Sequence, residues 1–289
     1  MQIHDLPTAT AARLDAALQE LRKGRVDIEV LRARLEQMYR QSFRSAARAG
    51  IADAITAIRT MSGAVDAAEL DVVMSSLERR LSVKNLGTTL AGKSTAVVRD
   101  VYHSAARGIK SSYKLYVVDH RAIETLARQD LVWIGHHNMT ELMPKLRQAT
   151  EDVLRTGYSR SKLAERLAED LGGIVDADAR YWSDLADHTV SKSREVGRVT
   201  GFEAAGIMQV TVYNPSPVSQ ICKDMNGRTI DVSHLSRQKK QILAATSREE
   251  MMESMSWLKS APAEGSMPSG FGIPPYHYKC KSILKAVVN

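Results

Sequence analysis

The chain has 289 residues, 44% apolar and 25% charged, enough to bury a core as one domain or two. Lysine and arginine (40) outnumber aspartate and glutamate (33), giving +7 and a pI near 9.4, a balance compatible with nucleic acid, an acidic partner or an ordinary solvated surface. The two cysteines exclude a disulfide framework, Met1 to Pro7 lacks the basic-then-apolar order of a signal peptide, and no run reaches the roughly twenty apolar residues of a membrane helix, so the expectation is a cytoplasmic protein with no membrane contact.

Thr8 or Thr10 can cap a first helix. Leu14, Leu21, Ile28 and Leu35 repeat at seven, with Leu31 and Met38 offset by three and Gly24 interrupting. That stripe suits either a coiled-coil arm, hence a homo-oligomer through the N-terminal helices, or a helix packed on its own bundle. Gly50 and Gly63 punctuate the next helical segment. Leu70, Val73, Leu77 and Leu81 mark a further amphipathic helix that fades by Lys84 to Gly87. A helix from about Thr95 to Arg107 stops at Gly108, and Arg121 to Ile134 continues in helical period. Asn138 or Thr140 caps the next helix, with Pro144 near its start and Gly157 at its end. Ser159 caps Lys162 to Leu171, closed by Gly172 and Gly173. Asp176 or Asp178 opens a last long helix toward Gly206. Its polar face of Lys192, Arg194 and Arg198 can face DNA, but a solvated face is the plainer expectation.

Gly87-Thr-Thr-Leu-Ala-Gly92-Lys93-Ser94 matches the phosphate-loop pattern, and Leu115 to Asp119 resembles the strand and aspartate that hold magnesium. The loop would need a buried strand before it, and Leu77 to Leu86 is charged and helix-periodic. The competing expectation is a helix connection in which Gly87 ends one helix and Ser94 caps the next.

From Met208 the pattern changes. Gln209 to Tyr213 alternates as a half-buried strand, the turn Asn214 to Pro217 follows, and Thr229 to Val232 is a second short strand. Ile283 to Val288 reads as a third, and His234 to Ser260 as an inserted helix. The two cysteines lie in two loops, Cys222 in one and Cys280 in the other, three residues after His277. Two thiolates and an imidazole can hold Zn²⁺, with Asp224 or His234 as a fourth ligand. The same residues allow a Cys222 nucleophile with His277 as its base, or two cysteines that serve as small buried hydrophobes.

Ser219-Gln-Ile-Cys222-Lys-Asp-Met225-Asn-Gly227-Arg228 and Pro274-Pro275-Tyr-His277-Tyr278-Lys-Cys280-Lys-Ser282 carry a likeness, supported by Gly157-Tyr-Ser159, Leu163-Ala164, Leu167 and Ala204-Ala-Gly206. Over roughly Ala127 to Val288 the sequence resembles the phage Mu F-like head-morphogenesis family, in which a helical region leads into a compact terminal module. Ser219 and Ser282 stand where that family often carries its first and last cysteines, and Tyr278 where it carries a proline. The resemblance therefore implies a reduced metal site of Cys222, His277 and Cys280, or packing in its place. It also implies a structural motif in which Gly227 supplies a turn, Arg228 either pairs with an acidic partner or a phosphate or is a surface arginine with no specific contact, and Pro274 and Pro275 stiffen the loop.

The expected fold is mainly α with a small C-terminal α+β module: an elongated N-terminal helical region (1–126), a second helical part (127–206) and a β-containing module (207–289) with an insertion at about 234–260. The resemblance implies a non-enzymatic minor head protein of a tailed phage or prophage, in the virion and, during assembly, in host cytoplasm. Its partners would be the portal protein and the major capsid or scaffold protein, with phage DNA as a further one and the terminal module as the dock. A DNA-binding accessory protein and a phosphate-loop hydrolase using Lys93 are the alternatives. A delivered effector is disfavoured, because the sequence stops at Asn289 just after the module.

Overall fold

The structure, a computed structural model, describes residues 27–61, 67–156, 158–263 and 266–287. The readings placed on Thr8, Thr10, Leu14, Leu21, Gly24, Gly63, Gly157 and Val288 lie outside the described residues. In chain order the elements are α1 (Ile28–Thr60), α2 (Ala67–Leu81), α3 (Val83–Ile109), α4 (Val117–His137), a π-helical turn (Asn138–Leu142), α5 (Met143–Leu154), α6 (Arg160–Ala177), α7 (Ala179–Ala205), β1 (Gln209–Tyr213), α8 (Gln220–Met225), β2 (Thr229–Asp231), α9 (Val232–Ala244), α10 (Arg248–Ser254) and β3 (Ile283–Ala286). The chain is mainly helical with a small sheet near its C-terminus, as the periodicity predicts. No helix among the described residues is long and apolar enough to cross a membrane.

Two compact units are built from interleaved segments, a grouping that a reading in chain order does not reveal. One comprises Gln37–Lys93 and Arg128–Ser183. Within it, α1 buries Tyr39, Phe43, Ala47, Ile51 and Ile58, one stripe at helical spacing. Gly50 does not interrupt α1. A Cβ there would lie 3.3 Å from the Leu77 Cα, so the missing side chain lets α2 approach closely. The helix break falls at Ser82, whose hydroxyl accepts from Asn85 N at 3.2 Å, and Lys84 to Gly87 are helical rather than fading. Gly87 to Ser94 is therefore continuous helix, neither a phosphate loop nor a connection. Asn138 and Thr140 cap nothing: the Asn138 side chain donates to Leu81 O at 3.0 Å and Thr140 to His136 O at 2.9 Å, while α4 passes through the π turn into α5. Pro144 sits in the first turn of α5, directly after the π turn. Ser159 caps α6 as expected, accepting from Lys162 N. Gly172 and Gly173 lie inside α6 with open space around them, so the helix continues to Ala177.

The other unit comprises Met1–Glu36 (described from Asp27), Ser94–Ala127 and Asp184–Asn289 (described to Val287). Leu31 and Leu35, the described end of the sevenfold stripe, are buried in it. Its core joins Val98 and Tyr102 of α3, Ile123 and Leu126 of α4, Val196, Val199 and Phe202 of α7, and Val210, Val212 and Leu284 of the sheet. Where α7 meets α3, a Cβ on Gly201 would stand 2.8 Å from Ala106 O, and one on Gly197 closer still to Tyr102 O. The two glycines, one turn apart, permit backbone-to-backbone contact at the helix-interior cost of about 1 kcal/mol each. The sheet is antiparallel in the order β2-β1-β3, with Val210 opposite Ile230 and Ala286, and Val212 opposite Leu284. Val232 starts α9 rather than ending β2. The expected single insertion helix is two, α9 and α10, because Ser247 and Glu250 form a reciprocal capping box that starts a new helix.

The polar face of α7 is a further correction, since it packs largely against the chain itself instead of lying open to solvent. Lys192 is 2% exposed and Glu195 fully buried. Glu195 accepts from Leu284 N at 2.9 Å and pairs with Arg194 at 2.6 Å, while Arg198 Nε donates to Leu284 O at 2.7 Å. Side chains of α7 thus satisfy the outer backbone edge of β3, which an edge strand otherwise leaves open.

Candidate metal centre

Ser219 ends the turn after β1 and caps α8, accepting from Cys222 N at 3.3 Å. This places Cys222 in the first turn of α8 with its side chain inward, 1% exposed. Gly227 then turns the chain toward β2 at φ +85°, a conformation that costs an ordinary L-residue about 1 kcal/mol or more. Gly227 N donates to Val212 O at 2.8 Å, and Arg228 Nε to Asp224 O at 2.9 Å and its Nη1 to Pro262 O at 2.6 Å. Arg228 is thus an internal brace, which corrects the expectation of a side chain free for a partner.

The second segment arrives from far along the chain. Pro274 and Pro275 are buried, joined by a cis peptide, and precede buried Tyr276, whose hydroxyl donates to Gly272 O at 2.9 Å. Lys279 takes φ +60° and turns the chain so that Cys280 N reaches His277 O at 3.3 Å. The turn folds His277 and Cys280 onto the same side. His277 Nδ1 lies 2.6 Å from Tyr278 O; a carbonyl only accepts, so Nδ1 carries the proton and Nε2 offers its lone pair.

The three side chains converge. Cys222 Sγ is 3.1 Å from His277 Nε2 and 3.6 Å from Cys280 Sγ, and all three donor atoms lie within 4.8 Å of one another. Zinc bonds of about 2.3 Å to sulfur and 2.0–2.1 Å to nitrogen set tetrahedral edges of about 3.8 Å (S···S) and 3.6 Å (S···N). The two edges at Cys222 thus fall about 0.2 and 0.5 Å short of a zinc tetrahedron's, and the imidazole is already in the ligating tautomer. The group can hold such an ion.

The fourth corner differs from expectation. Asp224 accepts from Ala261 N at 3.2 Å and from the Gln220 side chain at 2.5 Å, and His234 Nε2 is 2.7 Å from Phe271 O. Neither joins the cluster, because local backbone engages both. The oxygens at the centre belong to two serines. Ser219 Oγ is 2.9 Å from His277 Nε2, and Ser282 Oγ donates to Cys222 Sγ at 3.6 Å while accepting from Asn214 Nδ2 at 3.1 Å. Composition gives no sign of them, since serine is a poor zinc ligand beside thiolate. The pointer to them in the sequence is the resemblance, which sets them where the Mu F-like family often carries cysteine.

The electrostatics separate the two thiols. Burial alone would raise Cys222, but its hydrogen-bonded neighbours Ser219, Ser282, His277 and Cys280 outweigh it and bring the thiol below its usual range. Burial raises Cys280, and a charge on Cys222 would raise it further. Cys222 is thus the thiol that gives up its proton more easily, and a cation beside the pair would offset the cost of charging Cys280. A Cys222 nucleophile would need its sulfur to meet substrate, and that residue is buried. Compared with protein-family models, curated proteins and solved structures, the chain matches none.

Proposed function

We propose that this chain is a non-enzymatic structural protein of a tailed-phage or prophage head, a minor component that attaches near the portal vertex and assists capsid assembly or DNA packaging and delivery. It would act in host cytoplasm during assembly and then in the virion. The observation that carries the reading is the meeting of the two motif segments behind the resemblance. Cys222 and His277 stand 3.1 Å apart, and Ser219 and Ser282, at the family's remaining cysteine positions, touch the same cluster. Positions that look unrelated along the chain thus belong to one structural centre. We further propose that Zn²⁺ occupies this centre as a structural ion held by Cys222, His277 and Cys280, contributing folding free energy to a sheet of three short strands.

The two alternatives have less in their favour. Lys93 lies on a continuous helix, without the glycine-rich loop whose amides would wrap phosphates. Of the cations proposed for DNA on α7, Arg194 and Arg198 donate to the carbonyls of Ser282 and Leu284.

The test is co-expression of the tagged chain with the portal and major capsid proteins of its own gene neighbourhood, with zinc measured on the same purified sample. Stable co-purification with portal supports the head-protein reading. A clean single species that captures neither protein refutes it.

A further inference from the structure

We infer that the turn between α3 and α4 is a docking surface for an acidic peptide segment of a partner protein bearing apolar anchors. The inference does not depend on the head-assembly reading. Tyr116, Val117 and Val118 are consecutive and 63%, 69% and 69% exposed. Scattered exposed apolar residues are ordinary; three together at a helix start form a patch that water solvates poorly. Beside them opens a cavity of about 380 Å³ lined by His103, Arg107, Ser111, Ser112, Tyr113, Lys114 and Leu115.

Along this stretch of chain the charge is one-sided, with Glu203 of α7 the neighbouring acid and already paired with Lys239, and the structure explains why. Between Asp100 and Glu124 the sequence carries Arg107, Lys110, Lys114 and Arg121, with Asp119 as its one acid. Asp119 is 2% exposed, and its carboxylate accepts from Tyr102 OH at 2.8 Å, Tyr113 OH at 2.7 Å and Tyr116 N at 2.8 Å. These bonds do two things. They withdraw the negative charge from the surface, and they fix the turn so that Tyr116 to Val118 are held outward. A partner then pays little to order the site.

The ligand chemistry follows. Carboxylates of a peptide would meet Arg107 and Lys114 in the cavity, while its apolar side chains cover Val117 and Val118. Duplex DNA offers phosphates for the cations but little apolar surface beyond thymine methyls for two adjacent valines, and a single strand would find one exposed ring to stack on.

The experiment is fluorescence anisotropy with the full chain and a fluorescein-labelled amphipathic peptide of leucine and glutamate. Comparison probes are the same peptide with lysine for glutamate, a polyglutamate peptide and a random DNA duplex. The leucine–glutamate peptide should bind saturably, at least about tenfold more tightly than the other three. Val117→Asp and Lys114→Glu should each weaken it by about tenfold without moving the thermal midpoint, since both side chains are exposed. If either variant disturbs folding, Tyr116→Ser carries the same test. The proposal is overturned if the leucine–glutamate peptide fails to saturate, if polyglutamate binds equally well, if the variants bind as the parent does, or if DNA binds more tightly and ignores Val117→Asp.

Discussion

Zinc should stabilise this protein through Cys222, His277 and Cys280, by an amount that can be worked out in advance. The donor spacings of 3.1 and 3.6 Å lie within about half an ångström of the tetrahedral edges, so the site is assembled before the ion arrives. With free zinc about a hundredfold above its dissociation constant, an ion that binds only the folded chain adds about 2.7 kcal/mol. At about 2–4 °C per kcal/mol for domains of 150–250 residues, the unfolding midpoint should rise by roughly 5–11 °C. Calorimetry of the chain with zinc and with a chelator measures this directly. Cys280→Ala should abolish the zinc-dependent increment, whatever it does to the apo midpoint. The gain should also grow as pH rises through the thiol range. Cys222, already lowered, loses its proton first, while Cys280 is raised and must still release one for the metal to bind. Identical midpoints with and without zinc, or an increment that survives Cys280→Ala, would refute the reasoning.

Other outcomes follow from particular contacts. Ser219→Cys puts a thiolate where an oxygen now sits 2.9 Å from His277 Nε2, and should tighten zinc in a competitive chelator titration by at least about tenfold; unchanged affinity would mean that this corner is not a ligand position. Glu195→Ala strands Arg194 and Arg198 and leaves Leu284 N–H without its acceptor, so denaturant unfolding should show a loss of about 3–5 kcal/mol, and a loss under about 1 kcal/mol would contradict the role assigned to it. Gly201→Ala drives a methyl to within 2.8 Å of Ala106 O and should cost about 1–2 kcal/mol net, despite the better helix propensity of alanine; a gain in stability would show that α3 and α7 can separate freely. His188 is buried against Trp257 and Tyr278, and burial, with Lys192 nearby, lowers its pKa to about 3. Between about pH 6.5 and 3 the unfolded chain therefore binds the extra proton, and stability should fall as pH drops through that window, by up to about 1.4 kcal/mol per pH unit. In denaturation curves collected across that range, His188→Phe should flatten the slope; an unchanged slope would assign it to other groups.

Most helices and the position of β1 were legible because apolar spacing reports which face is covered. What that spacing cannot report is what covers the opposite face. Arg194 and Arg198 have the look of a solvated stripe, yet they donate to the backbone carbonyls of Ser282 and Leu284, at and just before β3. Glycine misled for a related reason. Gly50 and Gly87 read as breaks, but a helix tolerates glycine at about 1 kcal/mol when a neighbour exploits the space, as Leu77 does beside Gly50. At the candidate site, residue chemistry singled out Cys222, His277 and Cys280. It misjudged the fourth corner, because Asp224 and His234 are spent on local backbone, an accounting visible only in three dimensions.

The grip of α7 on β3 also bears on how the protein is made. Glu195 and Arg198 are synthesised 89 and 86 residues before the strand whose backbone they satisfy. While translation proceeds through α9 and α10, the nascent chain holds β1 with one neighbour missing, a buried-type carboxylate still in water and Cys222 without Cys280. Closing so long a loop is slow relative to local helix formation. During that interval the open side of β1 is the surface on which a ribosome-bound chain is most exposed to pairing with the wrong strand.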